Sequence, residues 1–254
     1  MRLLIVNPFG VDTYDEPIAK TVKRVARPGT EIVVRHMKRG LSFIRHAYFQ
    51  MLLLPDVVET IYQAEREGFD GATVACAFDP GIKEAKEIVR IPVVGEAASA
   101  ISIARMLGQK FAIITDAKRA ISGITDLVRM NSMETGMVDL VAIDMKVEDM
   151  ERQKADIRAR ICDIARELVD KGADSIVIGC SVLSAYTFGM DIPEDLKGIP
   201  FIDCNVAAVK TLEMMVDLWN MCGIEPSRRV NFQMPQMSGP ADFAYARKVY
   251  GITD

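Results

Sequence analysis

Histidine is nearly absent from this chain: of 254 residues only two are His, at positions 36 and 46. A His-rich metal site is therefore excluded, and His36 and His46 read as surface or loop groups. No Cys-x-x-Cys pair occurs, so a Cys/His zinc site would have to gather scattered ligands. There is no run of one charge, and the net charge is −4. A nucleic-acid partner needs a clustered basic face, which is missing. No apolar stretch approaches the ~18 residues of a membrane span, so no membrane partner is expected. The N-terminus runs directly into a short apolar strand, with no export signal, which makes the expected location cytoplasmic. Five Cys, an odd number, in such a chain argue against disulfides.

What the chain does have is a repeat. Gly68-Phe69-Asp70-Gly71-Ala72-Thr73-Val74-Ala75-Cys76 is matched by Gly172-Ala173-Asp174-Ser175-Ile176-Val177-Ile178-Gly179-Cys180. Each copy reads as a helix-ending Gly, a turn with Asp, an apolar run short enough to be a buried strand, and a Cys where the run stops. The flanks repeat too. Ile91-Pro92-Val93-Val94-Gly95-Glu96-Ala97-Ala98 corresponds to Ile199-Pro200-Phe201-Ile202-Asp203-Cys204-Asn205-Val206-Ala207-Ala208, and Arg2 to Asn7 corresponds to Lys110 to Thr115. A period of about a hundred residues implies duplicated lobes rather than a solenoid.

Strands are expected at 2–7, 31–36, 71–75 and 92–95 in the first half, and at 111–115, 140–144, 175–179 and 200–202 in the second. Helices are expected from Asp15, as cap, to about 27; over 48–67 with a bend at Pro55; over 96–107; over 118–133; over 148–171 as a charged, solvated face; and over 205–221. This alternation predicts an α/β fold of two pseudo-symmetric lobes, each a parallel sheet covered by helices, with the site in the cleft between them. The expected division is a first lobe at 1–108 joined by part of the C-terminal region, a second lobe at 109–225, and a tail with a short helix at 226–254. The tail has no counterpart in the first half and reads as packing or interface material. With the exposed-looking Met residues it favours a homo-oligomer.

In open α/β sheets ligands sit beyond the carboxyl ends of the strands, where Asn7, Cys76, Thr115 and Cys180 fall. If the lobes face each other about a pseudo-twofold, Cys76 and Cys180 meet across one cleft. Two thiols so placed suit inversion of a carbon, where a proton leaves one face and another arrives on the opposite face. Helix starts beside each Cys offer N–H groups that lower a thiol pKa and hold a developing oxyanion. Cys162 and Cys222 read as buried small hydrophobes, Cys204 as structural, and Asp79 as a turn and cap residue rather than a catalytic one.

The chain resembles the aspartate/glutamate/hydantoin racemase superfamily, and most closely its hydantoin and allantoin racemase branch. Val6-Asn7-Pro8, Cys76-Ala77-Phe78-Asp79-Pro80-Gly81, Pro92 to Ala97, Gly179-Cys180 and Pro200 to Asp203 carry the resemblance. It implies racemisation without a cofactor or metal, with Cys76 and Cys180 as the acid/base pair and a small molecule, such as a 5-substituted hydantoin, as the substrate. It also implies that Asn7, Thr115 and the amides of Ala77, Phe78, Ser181 and Val182 hold the substrate, with Ser42 in a loop that closes over it. Two departures fall in that pocket: Phe9-Gly10 after Asn7-Pro8, and Ser181-Val182-Leu183 after the second Cys. They leave the acid/base pair intact and bear on the substrate. The other readings are an amino-acid racemase, a maleate-type cis–trans isomerase, and a binding protein without turnover.

Overall fold

In the computed structural model, which describes residues 1–44 and 46–252, the duplication is laid out as two four-stranded parallel sheets. In the first half β1 (Arg2–Asn7), β2 (Glu31–His36), β3 (Gly71–Val74) and β4 (Val93–Gly95) lie in the order β2-β1-β3-β4. In the second, β5 (Phe111–Thr115), β6 (Met137–Ala142), β7 (Ser175–Ile178) and β8 (Phe201–Asp203) lie in the order β6-β5-β7-β8. The central strands β1, β3, β5 and β7 are buried almost throughout, as continuous apolar runs covered on both faces must be. The repeat holds in hydrogen-bonding detail. Asp70 Oδ2 accepts from the Arg2 N–H at 2.6 Å, and Asp174 Oδ1 from the Lys110 N–H at 3.0 Å.

Helices α1 (Asp15–Val25), α2 (Ala47–Arg66), α3 (Ile82–Ile88) and α4 (Glu96–Leu107) follow β1 to β4. Helices α5 (Lys118–Met130), α6 (Lys154–Asp170), α7 (Ser181–Thr187) and α8 (Cys204–Cys222) follow β5 to β8. The last helix of each half covers the other half's sheet. On α4, Ala100, Ile101 and Ala104 pack with Phe111, Ile113, Val177 and Ile202. On α8, wholly buried Leu212 and Val216 join the core under β3 and β4. The two helices also pack against each other. Thus α4, although within 1–108, belongs by packing to the second sheet.

Several boundaries differ from expectation. Asp15 is not the cap of α1: Tyr14 occupies that position, and the Asp15 carboxylate instead bonds Asn7 and His36. Helix α2 keeps its expected extent with Pro55 inside it. Helix α5 ends at Met130, and β6 begins at Met137, earlier than expected. Helix α6 starts at Lys154 rather than 148, because buried Val147 and Met150 pin the preceding segment in a tight turn. The tail forms α9 (Pro235–Ser238) and α10 (Pro240–Val249) and packs on the first half. Arg228 donates to the carbonyls of Lys86 and Val89, and Arg247 pairs with Glu59 at 2.8 Å. Among the described residues no helix is long and apolar enough to cross a membrane.

Candidate active site

The carboxyl ends of the two sheets face a cavity of about 40 Å³, to which each half contributes its strand-end cysteine. Cys76 lies two residues beyond β3, in a turn closed by the Asp79 N–H donating to the Cys76 carbonyl at 2.9 Å. Cys180 is the residue that caps α7. Around the two sulfurs are Ala75, Ala77, Phe78, Gly179, Ser181 and Val182 from the cysteine loops, Phe9 after β1, and Thr115 and Asp116 after β5. Ile124 of α5 and Val147 complete one wall, and Phe43 and Ile44 close the top.

Most of the residues expected at the site are here; two are not. The side chain of Asn7 is wholly buried and spent within its own loop. Its Nδ2 donates to Asp15 Oδ1 at 2.6 Å and to the Val11 carbonyl at 3.2 Å, while Oδ1 accepts from the Phe9 N–H at 3.1 Å. It holds Phe9 in place and does not line the cavity. Ser42 is not a lining residue either; its neighbours Phe43 and Ile44 take that place, while Arg45 of the same loop lies outside the described residues. Thr115 borders the cavity, yet its hydroxyl already donates to the Gly179 carbonyl at 3.1 Å and so ties β5 to β7. Asp116, the charged group beside the thiols, was missed in the sequence. The strand-end argument that picked Thr115 would have found it one residue later. Val147 could not be found that way, because its position depends on the delayed start of α6.

Cys76 is buried and Cys180 half-buried, and loss of contact with water pushes both above the ordinary thiol pKa. For Cys76 the Phe78 N–H opposes this, while the charges of Glu96, Asp79 and Asp116 add to it. For Cys180 the next largest cause is the charge of Asp116, opposed by the N–H groups of Leu183 and Val182; a thiolate at Cys76 adds to the rise. Ionisation of either thiol is thus opposed by its surroundings and nearby carboxylates and favoured by backbone N–H groups of its own loop.

The remaining candidates are structural. Asp79 does cap a helix, but that helix is α4. Its Oδ1 and Oδ2 accept from the N–H groups of Ala97 and Ala98, each at 3.0 Å. In the second half α8 is capped by its own Asp203 through the Val206 N–H at 3.1 Å. Residue 95, the counterpart of Asp203, is Gly, and Asp79 supplies the missing carboxylate from the neighbouring loop. Burial lifts Asp79 to about 6. Cys162 is buried in α6, but Cys222 is exposed at the end of α8 rather than buried. Cys204 lies outside the cavity, bonded to Ser184 and Glu96. His36 and His46 are exposed, partnered by Asp15 and Arg119.

Comparison with known proteins agrees with this geometry. A family described as Asp/Glu/Hydantoin racemase matches residues 3–212. A hydantoin racemase of Pseudomonas sp. (strain NS671) is 32% identical over 237 residues, covering 93% of this chain and 92% of its own length. The structure of an allantoin racemase from Klebsiella pneumoniae superposes with a TM-score of 0.83 at 29% identity, over 92% of this chain and 94% of that one. An allantoin racemase from Pseudomonas fluorescens gives a TM-score of 0.82 at 26% identity, over 92% and 97%.

Proposed function

Since the chain belongs to the Asp/Glu/hydantoin racemase family and is a racemase, we propose that it inverts the carbon next to a carbonyl in a 5-substituted hydantoin or related cyclic ureide, with Cys76 and Cys180 as the acid/base pair. The observation that carries this reading is that corresponding cysteines of the two halves line one cavity. The thiolate on one face takes the proton from the carbon, and the C–H electron pair moves into the adjacent carbonyl. The resulting enolate oxygen is met by backbone N–H groups of the cysteine loops. The thiol on the opposite face returns a proton to the carbon, leaving the mirror-image molecule and the two sulfurs with exchanged protonation. No electron enters or leaves, so the residues need no cofactor for this step.

The apolar side chains of Phe9, Phe43, Ile44, Phe78, Ile124, Val147 and Val182 suit the 5-substituent of such a ring. The names of the similar proteins favour a ureide over free aspartate or glutamate. Phe43 and Ile44 border the cavity and would flank a bound ring.

The test is proton exchange in heavy water, followed by NMR and optical rotation, on 5-substituted hydantoins, allantoin, aspartate, glutamate and maleate. The expected result is exchange with loss of rotation on a hydantoin or allantoin. Cys76→Ser and Cys180→Ser should each lower racemisation by about 10²–10⁴-fold, while each variant still exchanges the proton of one enantiomer. Racemisation at the wild-type rate in either variant would refute the two-cysteine assignment. Binding without exchange, unaltered by either substitution, would point to a protein without turnover.

A further inference from the structure

Behind Cys180 the first residues of α4 and α8 meet. Glu96 and Cys204 hold corresponding positions in the two halves, and they touch: Cys204 Sγ is 3.5 Å from Glu96 Oε2. Glu96 is 1% exposed. The same Oε2 accepts a hydrogen bond from the hydroxyl of Ser181, the residue after the second cysteine. From α8, Asn205 Nδ2 donates to the Ser181 carbonyl at 2.8 Å. Ser181 is thus held from both helices, one of them counted with the first half of the chain. The internal symmetry supplies a control. The counterpart of Ser181 is Ala77, which has no hydroxyl, and the counterpart of Glu96 is Cys204, which turns to Glu96 and to Ser184 Oγ at 3.4 Å. Among the described residues, this side-chain clamp on the residue after the cysteine is found for Cys180 and not for Cys76.

We propose that Glu96 is a positioning residue for Cys180: through Ser181, the first residue of α7, it fixes the start of that helix and so the Val182 and Leu183 N–H groups beside the Cys180 thiol. Glu96 does not line the cavity and touches no reacting atom. Burial pushes its pKa well above the ordinary carboxyl value, and the nearby charges of Asp79 and Asp203 add to the rise against the hydrogen bonds from Ser181 and Cys204. The groups that face this cluster are Asp79, Asp203, Cys204, Cys76 and Asp116. The functional weight of the clamp rests on the reading of Cys180 as an acid/base residue; its geometry does not.

The experiment is alkylation of the full-length protein by iodoacetamide as a function of pH, with Cys76 and Cys180 followed separately by peptide mass spectrometry. It is run on wild type, Glu96→Gln, Glu96→Ala and Ser181→Ala, and racemisation is measured alongside. In Ser181→Ala and Glu96→Ala alkylation of Cys180 at a given pH should slow about tenfold as its thiolate fraction falls by that factor. Cys76 should keep its rate. Glu96→Gln should stay close to wild type, because its amide oxygen still accepts from Ser181. Equal movement of both cysteines, no movement of either, or a Gln variant that behaves like the Ala variant would overturn the proposal. Alkylation needs no turnover, so failure of the two-cysteine mechanism appears as unimpaired racemisation in the cysteine variants, and failure of this inference as an unmoved Cys180.

Discussion

Gly95→Ala is the substitution whose cost can be read most directly from the structure. A methyl group on residue 95 would stand 2.1 Å from Asp79 Oδ2 and 2.3 Å from Asp79 Cγ, far inside contact distance. Asp79 cannot step aside freely. Its backbone sits at φ +47°, and its two carboxylate oxygens hold the N–H groups of Ala97 and Ala98. Retreat would leave the first turn of α4 uncapped in a buried place. Loss of a helix cap costs about 0.5–2 kcal/mol, and a hydrogen bond to a charged group contributes about 1.5–3 kcal/mol. Both figures describe the same contact, and its two charge-assisted bonds set an expected loss of about 3 kcal/mol. The assay is urea unfolding followed by far-ultraviolet circular dichroism, in a double-mutant cycle with Asp79→Gly. That second change removes the carboxylate and suits the left-handed backbone, so in its presence Gly95→Ala should cost less than about 1 kcal/mol. The coupling should therefore be about 2 kcal/mol, well above what non-interacting sites show. A Gly95→Ala protein as stable as wild type, or equal costs in both backgrounds, would refute the account of how α4 is anchored.

Two further substitutions probe the cavity and the acidic cluster. In Gly123→Ala the new methyl would meet the Phe78 ring edge at 2.7 Å and drive that ring into the cavity. KM for bulky 5-substituted hydantoins should rise several-fold while the smallest substrate is spared, and uniform kinetics across the series would contradict the placement of Phe78. Asp203 is lifted from 3.8 to about 6, first by burial and against the Val206 N–H. A carboxyl with a raised folded-state value adds stability at low pH that is lost as pH rises through about 6. The stability of wild type relative to Asp203→Asn should therefore grow between pH 7.5 and pH 5, by about 1.4 kcal/mol. Parallel unfolding curves at the two pH values would show that Asp203 is not held this way.

The fold was legible because it is written twice. Buried parallel strands leave short apolar runs, and the paired Asp70 and Asp174 mark the same turn in each half. Cys76 and Cys180 stood out for the same reason. The errors fall where a side chain acts beyond its own segment. Asp15 sits in the first turn of α1 but spends its carboxylate on Asn7 and His36, so neither Asp15 nor Asn7 has the role its position implied. Asp79 lies just before α3 and caps α4. The start of α6 is set by where Val147 and Met150 are buried, which local periodicity does not encode. Nor does anything in the spacing of residues 96–107 reveal that α4 lies on the opposite sheet.

That exchange of final helices says something about origin and freedom. A half-length chain folded this way would leave part of its own sheet uncovered and its last helix unseated, so two copies would have to assemble reciprocally before either was complete. The present chain has the form of such a reciprocal pair joined end to end. In an assembly of identical copies every residue would appear twice, and both faces of a bound molecule would meet the same chemistry. Joining them frees each position to change alone. Residue 95 could lose its carboxylate while residue 203 kept one, and residue 181 could gain a hydroxyl that residue 77 lacks.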